Sequence, residues 1–177
     1  VLIRAKDLHL DLNKDTPETK KILKLVQKLE HRGYHFEAAE ASFEILMKRA
    51  LKKYKKFFEL EGFRVVVERH LDKKITTEAI IKIKVKGKKE HTVSMGDGPV
   101  NALDNALRKA LKEFYPNLSK MHLCDFKVRV LDEKAGTAAR VRVLIQSQDE
   151  KDSWNTIGVS ENIIEASWQA LLDSVEY

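Results

Sequence analysis

The chain has 177 residues, 43% of them apolar and 34% charged, which is long enough for one domain or two small ones and apolar enough to bury a core. Three prolines, seven glycines and the lack of a low-complexity tract exclude disordered and collagen-like classes, and no apolar run reaches the roughly 18–20 residues that span a bilayer. Thirty-three Lys and Arg against 27 Asp and Glu leave a net charge of +6, which permits an anionic partner without requiring one.

The N-terminus lacks the segments of an export signal, and the one cysteine, Cys124, can close no disulfide within the chain. Both suit a reducing cytoplasm. The chain opens on Val1 in mid-pattern, which suggests a piece of a longer protein.

Val1 to Lys14 is weakly patterned. Asp15-Thr16-Pro17-Glu18 then reads as a helix start, with Asp15 as cap and Glu18 three residues on. Ile22, Leu25, Val26 and Leu29 give that helix one apolar stripe, and Gly33 ends it. A second helix is expected from Phe36 to Lys55, with Phe36, Ala39, Phe43, Leu46, Met47 and Ala50 on one face, so that the two form a helical hairpin. After Gly62 the period changes to two, the mark of half-buried strands.

Strands are expected at Arg64 to His70, Thr77 to Lys86 and His91 to Met95. Gly96-Asp97-Gly98-Pro99 then leads into a helix with the stripe Val100, Leu103, Leu107, Ala110, Leu111 and Phe114, ended by Pro116 and Asn117. The order repeats: Phe126 to Leu131, a strand with Val141, Val143 and Ile145 on one face, Ser153 to Val159, and a last helix opened by Ser160-Glu161-Asn162. Ala102, Ala106 and Leu107 superpose on Ala166, Ala170 and Leu171 at an offset of 64, so internal duplication is the economical reading. The expected fold class is α+β, a helical hairpin followed by two βββα units that share one core.

Few residues point to chemistry. His31 and His35 have a metal-sharing spacing, but Gly33 lies between them and no third ligand follows, so surface or packing histidines are the plainer reading. Cys124 reads as a small buried side chain at a strand start rather than a nucleophile. The lysines at 82, 84, 86, 88 and 89 form the densest basic patch, yet no aromatics interleave them as a nucleic-acid platform requires. Gly96-Asp97-Gly98 fails as a dinucleotide fingerprint for want of a third glycine. Two glycines ahead of a helix do let a ligand approach free amides that favour a carboxylate, and Gly158-Val159-Ser160 offers a second such turn. No catalytic constellation is evident.

Three stretches carry a resemblance: His31-Arg32-Gly33-Tyr34-His35-Phe36-Glu37-Ala38-Ala39-Glu40-Ala41-Ser42-Phe43, Gly96-Asp97-Gly98-Pro99-Val100-Asn101-Ala102-Leu103, and Gly158-Val159-Ser160-Glu161-Asn162 through Ser167. In this order they resemble the C-terminal part of the citramalate synthases, which stand with the 2-isopropylmalate synthases among the acetyl-CoA-dependent α-acylmalate synthases. The segment Val130-Leu131-Asp132-Glu133-Lys134-Ala135-Gly136-Thr137 resembles the citramalate branch.

The resemblance implies a helical linker over residues 1–57 and, over 58–177, a regulatory domain that dimerises and binds an end-product amino acid. That effector is isoleucine in the citramalate branch and leucine in the other. The family's catalytic TIM barrel, with its divalent metal, is outside this sequence, so the chain itself is expected to be non-catalytic, without a cofactor, and to meet neither nucleic acid nor membrane. The family's effector pocket falls on Gly96, Asp97, Gly98, Val100, Leu103 and Asp104, then on Leu123, Phe126, Val130, Thr137, Ala139 and Val141. Relatives often carry a tyrosine where this chain has Phe126. The residue types fit: apolar side chains for a branched aliphatic chain, glycine and helix amides for the carboxylate, Asp104 for the ammonium.

Overall fold

A computed structural model describes residues 16–71 and 74–177. Val1 to Lys14 and the expected cap Asp15 lie outside them. Helix α1 spans Pro17–His31, and its cap is Thr16, whose Oγ1 accepts from Thr19 N at 3.2 Å. It closes where Gly33 takes φ +109°, with Gly33 N donating to Glu30 O and Tyr34 N to Leu29 O. A residue with a Cβ is strained at that φ.

Helix α2 is Glu40–Ala50, shorter at both ends than expected. Phe36–Ala38 instead form a 3₁₀ turn, which stacks Phe36 between Tyr34 and Phe43. Lys52, at φ +55°, turns the chain away just past the other end.

Strands β1 (Glu59–Glu68), β2 (Thr76–Val85) and β3 (Lys88–Gly96) form one antiparallel sheet in that order, followed by α3 (Pro99–Leu111) and a 3₁₀ turn at Pro116–Lys120. A second antiparallel sheet follows, built of β4 (His122–Val130), β5 (Val141–Gln148) and β6 (Ser153–Ser160), and α4 (Ile163–Glu176) ends the chain. Gly158-Val159-Ser160 therefore lies inside β6 and is not a turn. β1 begins five residues before the expected Arg64 and β4 four before Phe126. In both cases the start is hidden by a bulge, between Leu60 and Gly62 and between Leu123 and Asp125, which breaks the period of two. The second bulge holds Cys124, which is exposed and not buried.

The duplication is visible in details. Besides the matching bulges, Phe63 pairs with Ile81 and Phe126 with Ile145. Thr92 Oγ1 donates to Ala106 O at 2.8 Å in α3, and Thr156 Oγ1 to Ala170 O at 2.7 Å in α4. α3 covers β2 and β3, α4 covers β5 and β6, and Ile81, Ile83, Leu103, Leu107, Val143, Ile145 and Leu171 join one core. Burying each such side chain contributes about 1.5–3 kcal/mol.

α1 and α2 lie on the second sheet, where Ile22, Val26, Phe43 and Met47 share a cluster with Ile157 and Val159 of β6. The outer edge of β6 is sealed by side chains. Asn155 N donates to Glu40 Oε1 at 2.8 Å, Ile157 N to Ser42 Oγ at 3.0 Å and Val159 N to Gln169 Oε1 at 3.1 Å.

Candidate functional site

A cavity of about 830 Å³ opens between α3 and β4. Its size is that of a small-molecule site. Four of the residues expected from the sequence line it: Val100 and Asp104 from the helix, Leu123 and Phe126 from the strand. Gly96, Asp97 and Gly98 lead into that helix, and Gly98 is its cap residue. Gly96 sits so close to α3 that a Cβ there would lie 2.4 Å from Ala102 N. Leu103 is fully buried in the shared core. Val130 ends β4, Thr137 lies exposed in a 3₁₀ turn, Ala139 is buried after it and Val141 opens β5. These last four stand outside the cavity's lining.

Gly98 has no side chain to cap α3 and Pro99 has no N–H, so the Val100 and Asn101 amides are the first-turn donors left without a side-chain cap. That is the arrangement a carboxylate uses. Asp104 is buried, and loss of water raises its carboxyl above the ordinary range, opposed by the Arg108 guanidinium. Arg108 was not singled out in the sequence, although a cation four residues after an acid on a helix was the available signal. Its Nε donates to Asp104 Oδ1 at 2.8 Å, and Nη1 donates to Leu118 O and Met121 O at 3.0 and 2.8 Å. The pair thus fixes the cavity's acid on its helix and ties that helix to the 3₁₀ turn before β4.

The duplicated positions lack this arrangement. Trp168 stands where Asp104 does and Leu172 where Arg108 does, by the offset of 64. The Trp168 ring lies 5.2 Å from Phe63, the counterpart of Phe126. The start of α4 is occupied as well, since Asn162 Oδ1 accepts from Ile164 N at 2.8 Å and Glu165 N at 3.2 Å. Asn162 therefore takes the Ile164 and Glu165 amides that would otherwise be open to a ligand.

The other sequence candidates fall elsewhere. His31 ends α1 and His35 lies past its turn, and among the described residues no group of three or more His, Cys, Asp or Glu could hold a metal ion. Lys82, Lys84 and Lys86 are exposed on one face of β2 and its turn. Lys86 and Lys88 also lie over the Tyr115 and Phe114 rings, and Lys88 and Lys89 pair with Glu90 and Glu61. No helix among the described residues is long and apolar enough to cross a membrane.

Two antiparallel βββα units on one core, preceded by helices laid over the second sheet, define a duplicated α+β regulatory fold. Residues 37–177 match the LeuA allosteric (dimerisation) domain, and the chain belongs to that family. It is 56% identical over 178 residues to an (R)-citramalate synthase of Geobacter sulfurreducens, covering 100% of this chain and 34% of that protein. It is 50% identical over 175 residues to one of Aquifex aeolicus, covering 98% and 33%. A 2-isopropylmalate synthase of Aquifex aeolicus is 28% identical over 170 residues, covering 85% and 31%. The chain spans about a third of the length of these relatives.

Proposed function

We propose that the chain is the feedback domain of a cytoplasmic (R)-citramalate synthase and binds isoleucine in the cavity between α3 and β4. The observation that carries this reading is the convergence, at the α3–β4 junction and not at its α4–β1 counterpart, of uncapped helix amides, a buried acid and an apolar wall. The amides beyond Gly98 take the effector's carboxylate, Asp104 its ammonium, and Val100, Leu123 and Phe126 its branched chain.

The parent enzyme condenses acetyl-CoA with pyruvate in a barrel outside this sequence, and its divalent metal acts there. Residues 1–57 serve as the linker and 58–177 as the effector-binding and dimerising part. Phe126, Val128 and Val130 of β4 are exposed at 43%, 41% and 46%, and this apolar strip is the face on which two copies meet. Effector binding beside the strip favours one arrangement of the dimer, and the linker passes that preference to the barrels.

Calorimetric titration with isoleucine, leucine and valine, together with the mass in solution, tests the proposal. Saturable isoleucine binding by a dimer is the expected result. Preference for leucine assigns the chain to the 2-isopropylmalate branch. A well-folded dimer that binds none of the three overturns the reading.

A further inference from the structure

Along the connection between β4 and β5, alternate side chains serve two faces. Val130 and Val141 are cross-strand partners, Val141 packs against the shared core and Ala139 is buried beside it. The residues between them turn the other way, onto the end of α1. Leu131 joins the cluster around α1 and stands so close to Gly33 that a Cβ there would lie 2.1 Å from Leu131 Cδ1.

Arg140 Nη1 donates to Arg32 O at 3.0 Å, and Arg142 Nε to Gly33 O at 2.6 Å. Two guanidinium groups thus grip the carbonyls that end α1, where the helix dipole is negative. Tyr34 OH adds a third link by donating to Gln169 Oε1 at 2.9 Å.

Strand geometry binds the two faces together. A shift or twist of β4 under an effector seated on Leu123 and Phe126 also moves Leu131, Arg140 and Arg142, because neighbours along a strand share one backbone and β4 is paired with β5 up to Val130 and Val141. Leu131 N donates to Arg140 O at 2.9 Å, so the two sides of the connection move as one. α2 is held differently, by Glu40 and Ser42 on the edge of β6. α1 is therefore the helix whose seat depends on this connection.

We infer that Arg140 and Arg142 form a clamp that couples the effector site to the seating of α1, with the β4–β5 connection as the shared element. The inference rests on the proposed reading that the effector sits against β4, whose Leu123 and Phe126 line the cavity and whose last residue, Val130, leads into Leu131. Coupling of this kind is reciprocal: if the effector tightens or loosens the clamp, weakening the clamp changes effector affinity by the same factor.

The test is amide hydrogen exchange at Gly33 and Tyr34 in the full chain, with and without saturating isoleucine, beside calorimetry of the wild type, Arg142→Met and Arg142→Lys. In the wild type isoleucine changes exchange at these amides by at least about fivefold, the lower end of typical couplings. Arg142→Met removes that response and shifts isoleucine affinity by the same factor, and Arg142→Lys, which keeps the charge but not the Nε donor, falls between. If Arg142→Met does not fold, the wild-type exchange decides alone. Isoleucine binding with no change at these amides overturns the clamp and leaves the effector reading standing. A wild type that binds neither isoleucine nor leucine overturns both.

Discussion

The two βββα units share their strand order, their bulges and the threonine that anchors each helix, yet they differ at the face where helix meets first strand. In the first unit the helix start is uncapped and Asp104 borders a cavity of about 830 Å³. In the second, Asn162 caps the helix and Trp168 fills the equivalent place against Phe63. The outer faces differ in the opposite sense. Ile157 and Val159 of β6 lie buried under α1 and α2, while their counterparts Val93 and Met95 of β3 are exposed at 39% and 53%. The helix start and outer sheet face of the second unit have been given over to packing, whereas those of the first stay open and β4 of the second walls the cavity. A duplicated fold allows this division, since the plugged unit stabilises the core that the open unit also uses.

Breaking the plug has the largest expected effect. Trp168→Ala leaves a cavity between α4 and β1 and costs about 3–5 kcal/mol, read as a lower denaturant midpoint. An unchanged midpoint would show that the second unit does not carry the core in this way.

The next contrast lies one turn further along the helices, where exposed Lys109 of α3 corresponds to Asp173 of α4. Burial pushes the Asp173 carboxyl up to about 6 against the attraction of Arg49 and a hydrogen bond from Ser42. Between its ordinary value and about 6 the folded chain holds a proton that the unfolded chain releases. Stability therefore falls as pH rises through 6 and is regained as pH drops toward 4, by on the order of 2 kcal/mol. Unfolding curves across that window check the sign, and Asp173→Asn flattens the dependence.

Asp104→Asn sharpens the comparison from the side of the open unit. It preserves size and hydrogen bonding but removes the charge proposed to meet an ammonium, so isoleucine binding weakens by about tenfold or more with little change in the unfolding midpoint. Calorimetry beside denaturation separates the two. The smallest effect belongs to Gly98→Asn, which gives α3 the cap that α4 has. A Cβ at Gly98 meets nothing within 4 Å, so the chain gains a few tenths of a kcal/mol while the new side chain competes with the effector for the same amides. Stabilisation with undiminished binding would place the carboxylate elsewhere.

Much of the fold was legible because its signals are local. The alternation in Thr77 to Lys86 and the repeat of Ala102, Ala106 and Leu107 at Ala166, Ala170 and Leu171 announce sheets, helices and duplication directly. The starts of β1 and β4 were not legible, since the bulges at Glu61 and Cys124 shift the period of two by one residue, and the same effect turned Cys124 outward, whereas Val141 and Ser153 open β5 and β6 as expected. Helix α2 was overextended because the apolar spacing of Phe36 and Ala39 is shared by the 3₁₀ turn that precedes it.

The candidate site was readable only in part. Val100, Asp104, Leu123 and Phe126 stand on the right elements, but a cavity is a relation between elements. Nothing local says that Trp168 fills what Asp104 leaves open, or that Arg108 reaches from α3 to Leu118 and Met121.

The side chains along β6 have a further consequence, for assembly without limit. Every sheet border offers a row of amides on which another strand can grow, and natural folds must terminate that growth. Here the outward amides of Asn155, Ile157 and Val159 are already spent on Glu40, Ser42 and Gln169. Cutting the chain between α2 and β1 would strip away Glu40 and Ser42, bare Ile157 and Val159, and convert a finished border into a growing end. The helical segment is thus also a cover for this border, and a version trimmed between α2 and β1 opens the Asn155 and Ile157 amides to pairing with another strand while Gln169 keeps that of Val159.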